Sequence, residues 1–203
     1  MPQDATNPRH RVAIIGLGKL GLLFVERLAR RSDMELVAVV DTSPTKAGLP
    51  LDQVAGHDTG FDLVVEDSLN VVVAADVALV ATASRLQAVA GLIDEISARG
   101  LDVVSTCEEL AYPWRQFPEE SRRLDNLARS RGVSIVGCGS NPGFLMDLLP
   151  VTFAFGCERV DSIFIERTLD MRPHRPERLT RFGLGLTRAE FDAYWERMQG
   201  EFR

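Results

Sequence analysis

From residue 12 onward, short apolar runs alternate with amphipathic stretches. Residues 12–15 (VAII) are continuously apolar and glycine follows at once, which is how a strand buried on both faces reads. Over 19–31, Leu20, Leu23, Phe24 and Leu28 recur at helical spacing, with Glu26, Arg27, Arg30 and Arg31 left for water; the spacing predicts an amphipathic helix. Residues 35–40 form a second buried strand that ends at Asp41, and Pro44, Gly48 and Pro50 make 42–50 a loop with at most a helical turn. A short strand over 63–65 and a small helix capped by Ser68 come next, then a clear strand over 77–81. Ser84 is the expected N-cap of a helix over 85–98 that Gly100 ends. A strand over 103–105, a helix over 119–131 stopped by Gly132 and a strand over 133–136 continue the series. Asn141 then reads as the cap of a helix with Pro142 at its first position.

Strand and helix thus alternate from residue 12 to about 149, which predicts an α/β fold with a doubly wound parallel Rossmann sheet. The pattern then changes. Residues 159–167 (RVDSIFIER) alternate, with Val160, Ile163 and Ile165 apolar and Asp161, Ser162 and Glu166 polar, as a strand with one wet face does. Residues 171–181 are rich in proline and arginine and read as irregular, and Thr187 with Glu190 forms a capping box for a helix to about Gln199. One strand and one helix are too little for an independent domain. The expected organisation is a mobile tail at 1–10, a dinucleotide-binding domain at 11–149 and the start of a smaller α+β substrate or oligomerisation domain at 150–203. The last helix and its approach carry Leu186, Phe191, Tyr194, Trp195 and Met198. Such an apolar load on so short a tail predicts self-association into a homo-oligomer.

Composition narrows the partners. The net charge of −6 argues against nucleic acid or an anionic membrane surface as main partner. No apolar run reaches the ~18 residues of a membrane span, and MPQDATNPRHR lacks the apolar core of a secretion signal. Cys107, Cys138 and Cys157 contain no CxxC, so neither a disulfide framework nor a zinc ribbon is expected. His10, His57 and His174 are scattered without metal-ligand spacing, and no metal is expected. A reducing, cytoplasmic setting fits.

The chemistry starts at Gly16-Leu17-Gly18-Lys19-Leu20-Gly21, a GxGxxG directly after a buried strand and directly before an amphipathic helix, with Asp41 closing the next strand. In that context it is the dinucleotide fingerprint. Gly16 permits the tight turn, Gly18 lets backbone approach a pyrophosphate, and Gly21 lets the helix lie close to the strand. Lys19 and Leu20 open the helix whose free N–H groups face the phosphates. Asp41 is the expected acceptor for the adenosine ribose hydroxyls, with Thr42 beside it. Its charge repels a 2′-phosphate, so NAD is favoured with NADP left open; Lys19 and Lys46 either offset that charge or are simply solvated. Ligands lie beyond the carboxyl ends of such strands, which selects residues 81–84, 105–109 and 139–144.

The segments GLGKLG, ADVALVATAS, DVVSTCEELAYPW and GSNPGFLMDLLP, in this order and spacing, resemble the dihydrodipicolinate reductase-like family, and within it the 2,4-diaminopentanoate dehydrogenase branch, over about residues 11–190. The resemblance implies a Rossmann domain followed by a mixed α+β domain that supplies substrate contacts and oligomer interfaces. It implies NAD(P)-dependent dehydrogenation at a CH–NH2 group, or reduction of C=N, in an amino or imino acid. By resemblance Thr82 and Ala83 line the pyrophosphate and nicotinamide ribose, Thr106 and Cys107 flank the nicotinamide, and Asn141 and Phe144 close over it. Glu108 and Glu109 would face a substrate ammonium, or else complement a helix start. Arg167 and His174 join them as candidates to bind substrate or move a proton. Cys107 reads as a packing residue rather than a nucleophile, and Asn141 as an N-cap in either case. The His-His-Arg segment, downstream lysine and SGT stretch of the reductases do not occur; Arg167-Thr168-Leu169-Asp170, then Arg172, His174 and Arg175, sit closer to the diaminopentanoate branch. Family members are longer than this chain. The competing reading is a non-catalytic NAD(P)-binding module or a truncated fragment of such a protein.

Overall fold

The computed structural model describes residues 9–172, 179 and 182–201. Six strands form one sheet: β1 (His10–Ile15), β2 (Met34–Val40), β3 (Val65–Glu66), β4 (Val77–Val80), β5 (Asp102–Ser105) and β6 (Ile135–Gly137). Their order is β3-β2-β1-β4-β5-β6 and every pairing is parallel. This is the doubly wound order, reversing direction between β1 and β4. Helices α1 (Lys19–Leu28), α2 (Leu51–Ala55), α3 (Leu86–Ala98) and α4 (Pro118–Arg131) provide the connections.

Continuous apolar strands are required because both sheet faces are covered. Val12 and Ile14 of β1 pack with Leu17, with Val25 and Leu28 of α1, and with Leu51. Ala13 and Ile15, one residue out of phase, pack with the opposite layer, which holds Leu86, Val89, Ile93 and Ile96 of α3 and Leu124 of α4. Each large side chain withdrawn in this way stabilises the fold by about 1.5–3 kcal/mol before entropy is counted. Gly132, at φ +67°, terminates α4 in the left-handed conformation as read from the sequence.

Several boundaries differ from the sequence reading. α1 stops at Leu28 rather than 31, and α2 was concealed within a stretch punctuated by proline and glycine. α3 is not capped by Ser84. Arg85 holds the cap position, and the Leu86 N–H donates to Glu109 Oε2 at 2.7 Å. The cap therefore comes from the loop after β5, which local sequence cannot show. Pro142 is not the first residue of a helix. Its peptide bond with Asn141 is cis, Ser140 bridges Gly143 across the turn, and a π-type turn (Phe144–Leu148) leads into α5 (Leu149–Ala154). Residues 159–167 form no strand: among the described residues none pairs with them, and alternation without a neighbouring ladder leaves the backbone irregular.

The chain divides into two units, Met1–Asp161 and Ser162–Arg203. In the second, α6 (Arg188–Glu201) opens on the expected capping box: the Thr187 N–H and hydroxyl both donate to Glu190 Oε2 at 2.7 Å. Phe191 and Trp195 stack with ring centroids 6.3 Å apart. Among the described residues no helix is long and apolar enough to cross a membrane.

Candidate functional site

At the switch point between β1 and β4 lies a crevice of about 680 Å³, within the size range of small-molecule and cofactor sites. The fingerprint turn makes its floor. Gly16 has φ +92°, and a Cβ there would meet the Ala81 carbonyl oxygen at 2.8 Å. The turn is thus pressed against the end of β4, whose Ala81, Thr82 and Ala83 form the adjoining wall. Gly21 does not line the crevice; its Cβ position is 1.9 Å from the Gly16 carbonyl oxygen, so α1 lies directly on the turn. Gly18 is the opposite case: nothing lies within 4 Å of its Cβ position, and it faces the crevice. An open cradle of bare backbone at a helix N-terminus fits a pyrophosphate.

Asp41 stands at the end of β2 on the same crevice. Its Oδ2 accepts from the Leu17 N–H at 2.8 Å and from Lys46 Nζ at 2.9 Å, and its Oδ1 accepts from the Ser43 N–H at 2.9 Å. Burial pushes the carboxyl pKa up, but the hydrogen bonds from Lys46, Ser43 and Leu17 together with the Lys46 charge outweigh it, and the net shift is downward. Asp41 is therefore held ionised and oriented. A carboxylate offers about four acceptor directions, so one on Oδ1 stays available to a ribose hydroxyl. Lys46 also donates to the Leu17 carbonyl oxygen at 2.9 Å, tying the loop after β2 to the fingerprint turn. Thr42 is exposed beside it.

The remaining residues singled out in the sequence are distributed unevenly. Lys19 and Leu20 are exposed on the first turn of α1, outside the crevice wall. Thr106 follows β5 and donates from its N–H to the Val80 carbonyl oxygen at 3.0 Å. Cys107 is fully buried and its thiol donates to the Ser84 carbonyl oxygen at 3.2 Å; burial pushes its pKa up. Its side chain packs rather than lines. The Glu109 N–H donates to the same carbonyl at 3.2 Å, so the loop after β5 clamps the loop after β4 by three contacts, counting the Leu86 cap. The adjacent glutamates are thereby separated: Glu109 is half-buried and committed to α3, while Glu108 is exposed and its carboxylate makes no hydrogen bond or ion pair to the described residues. Asn141 and Phe144 lie after β6, at the same carboxyl edge but outside the crevice wall. Arg167 is exposed in the irregular part of the second unit, and His174 lies outside the described residues.

The crevice also has walls that motif reading missed. Asp67, Ser68 and Leu69 follow β3, Leu92 and Glu95 come from α3, and Arg99 follows its last residue. No motif marks Glu95 or Arg99, whose polar side chains on and just after an amphipathic helix carry no signal of a ligand. Among the described residues no group of three His, Cys, Asp or Glu is placed to hold a metal ion.

No protein-family model matches the chain. It is 33% identical over 185 residues to a 2,4-diaminopentanoate dehydrogenase from Acetoanaerobium sticklandii, a match covering 90% of this chain and 52% of that enzyme. A shorter match, 41% over 54 residues, links 27% of the chain to 12% of a glycosyl hydrolase family 109 protein from Stenotrophomonas maltophilia. Among solved structures, an amine dehydrogenase from Mycobacterium smegmatis superposes with a TM-score of 0.71 at 26% identity, covering 92% of this chain and 56% of that one. The chain spans about half the length of the curated dehydrogenase it matches. With its six-stranded parallel sheet and complete fingerprint, it is a Rossmann-type dehydrogenase relative, and the relative that its four motifs pointed to is 2,4-diaminopentanoate dehydrogenase.

Proposed function

We propose that the chain is an NAD(P)-dependent oxidoreductase acting on the carbon–nitrogen bond of an amino or imino acid, in the manner of 2,4-diaminopentanoate dehydrogenase: oxidative deamination or its reverse. The observation that carries the cofactor reading is the open cradle at Gly18, set between the α1 N-terminus and an oriented, ionised Asp41. A nicotinamide dinucleotide, when bound, supplies the hydride acceptor or donor, and the protein contributes placement and charge. The first N–H groups of α1 hold the pyrophosphate. Asp41 takes a ribose hydroxyl, and Thr82 and Ala83 line the path toward the end of β5. At that edge Glu108 offers a free carboxylate to a substrate ammonium, a role for which Glu109 is poorly suited because its carboxylate is engaged by Leu86. Arg167 and His174 are further candidates to bind substrate or move a proton. Support for the amine class is the agreement of two relatives, each named for action on an amine.

A second reading is a nucleotide-binding module without turnover, favoured by a crevice whose lining residues all lie within the first unit. A dehydrogenase screen at 340 nm over amino acids and diamino acids, with NAD and NADP, separates the two. Steady reduction with a diamino acid is expected. Nucleotide binding with no turnover on any amine would favour the module and refute the enzymatic proposal for this chain.

A further inference from the structure

We infer that Asp41 and Lys46 act as a charge-compensated pair that lets the crevice take either nucleotide, with Lys46 the cation that receives the 2′-phosphate of NADP. The inference rests on the crevice being the dinucleotide site proposed above. A lone carboxylate at the end of β2 selects NAD because it repels a second anion. Here the carboxylate is not alone: Lys46 Nζ sits 2.9 Å from its Oδ2, both groups line the crevice, and the two charges sum to zero. An ammonium has three donors. Two are used, on Asp41 and on the Leu17 carbonyl oxygen, and one remains.

The pair also has room to divide its work. The Lys46 side chain is 28% exposed against 12% for Asp41, so the cation is nearer to water and the anion is fixed by two backbone N–H groups that do not depend on it. With NAD, Asp41 keeps Lys46 and offers its free acceptor direction to a ribose hydroxyl. With NADP, Lys46 turns its donors to the phosphate while the N–H groups of Leu17 and Ser43 continue to stabilise Asp41. Thr42, exposed on the same wall with no hydrogen-bond partner among the described residues, adds a hydroxyl donor. Lys46 thus compensates for the repulsion that Asp41 would impose.

Dissociation constants for NADH and NADPH, measured by fluorescence titration on the full chain, test the inference through their ratio. The unaltered protein is expected to bind both within about tenfold. Lys46→Met is expected to raise the NADPH/NADH ratio by about ten- to a hundredfold, the range for losing one charge-assisted hydrogen bond, and Lys46→Arg to restore most of it. Asp41→Asn is expected to move the ratio the other way. Raising salt on the unaltered protein should weaken NADPH more than NADH, because the additional contact is ionic; this arm needs no variant to fold. A lysine that is only a loop tie would weaken both nucleotides equally in Lys46→Met, and an unmoved ratio overturns the inference. So does a wild-type protein that binds NADH and excludes NADPH. Failure to bind either nucleotide would instead overturn the cofactor reading on which the inference stands.

Discussion

Replacing Gly21 with alanine adds one methyl group, and the fold fixes what that group meets. The new Cβ falls 1.9 Å from the Gly16 carbonyl oxygen and 3.0 Å from its carbonyl carbon. Ordinary contact starts at 3.4 Å, so α1 or the fingerprint turn has to give by roughly 1.5 Å, and overpacking on that scale costs about 1–3 kcal/mol. Neither side yields easily. Gly16 is pinned through its N–H to the Val40 carbonyl oxygen at 2.7 Å and is itself pressed on Ala81. The cost therefore lies at the upper end, and alanine's helix advantage returns only about 1 kcal/mol. A net loss of about 2 kcal/mol corresponds to a fall of roughly 4–8 °C in melting temperature for a protein of this size. Gly91 is the matched control: it is exposed inside α3 with nothing within 4 Å of its Cβ position, so Gly91→Ala is expected to stabilise by about 0.5–1 kcal/mol. Thermal melts followed by far-ultraviolet circular dichroism compare the two. Equal shifts, or a Gly21→Ala variant as stable as the unaltered protein, would refute the idea that contact with the turn, not backbone freedom, requires glycine at 21.

The other expectations follow from the same geometry. Gly18→Val should fold and melt normally, since its Cβ meets nothing, yet lose reduced-cofactor binding in a fluorescence titration; retained affinity would remove Gly18 from the site. Glu109→Ala should lower stability by about 0.5–2 kcal/mol through loss of the α3 cap, with Glu109→Gln recovering most of it in urea unfolding; if Glu108→Ala costs as much, the division between the two glutamates is wrong. Asp76 accepts from the Arg11 backbone N–H at 2.8 Å and from its guanidinium at 2.6 Å, and the Arg11 hydrogen bonds lower its pKa from 3.8 to about 2. A folded-state value below the unfolded one means that its contribution is present above pH ~4 and disappears as pH falls from there toward 2. Urea midpoints across that window should show a shallower acid limb in Asp76→Asn, and identical limbs would count against the assignment.

The sheet was legible because parallel strands covered on both faces must be apolar throughout. Residues 12–15, 35–40 and 77–81 announce themselves in this way, and the fingerprint between two of them identifies the crevice floor. Short-range rules also succeeded where the determinants are local, as at Gly132 and at the Thr187–Glu190 box. They failed where the determinant is remote. Ser84 looked like a cap, but the acceptor for Leu86 arrives from Glu109, beyond the next strand. The alternation at 159–167 specifies two faces and says nothing about whether a neighbour exists to pair with. Asp41 is the expected ribose acceptor from its place at the end of the second strand, whereas its fixed attachment to Lys46 and Leu17 needed three dimensions to be seen. The walls from β3 and α3 belong to no motif and emerge only when the chain is folded.

The central position of β1 also bears on how the chain is made. β1 pairs with β2 in its immediate neighbourhood, but its other edge waits for β4, with Val12 opposite Val77. During synthesis the first strand therefore has one naked edge until some eighty residues, plus those still inside the ribosome, have been translated. Closing so long a loop adds an entropic delay that grows as the logarithm of its length, and parallel pairing of distant segments is slow for the same reason. The fingerprint turn straddles that late seam, since Gly16 is held against Ala81. The nascent protein consequently completes the crevice in the step that closes the middle of the sheet, and until then β1 is the segment that a chaperone would have most cause to shield.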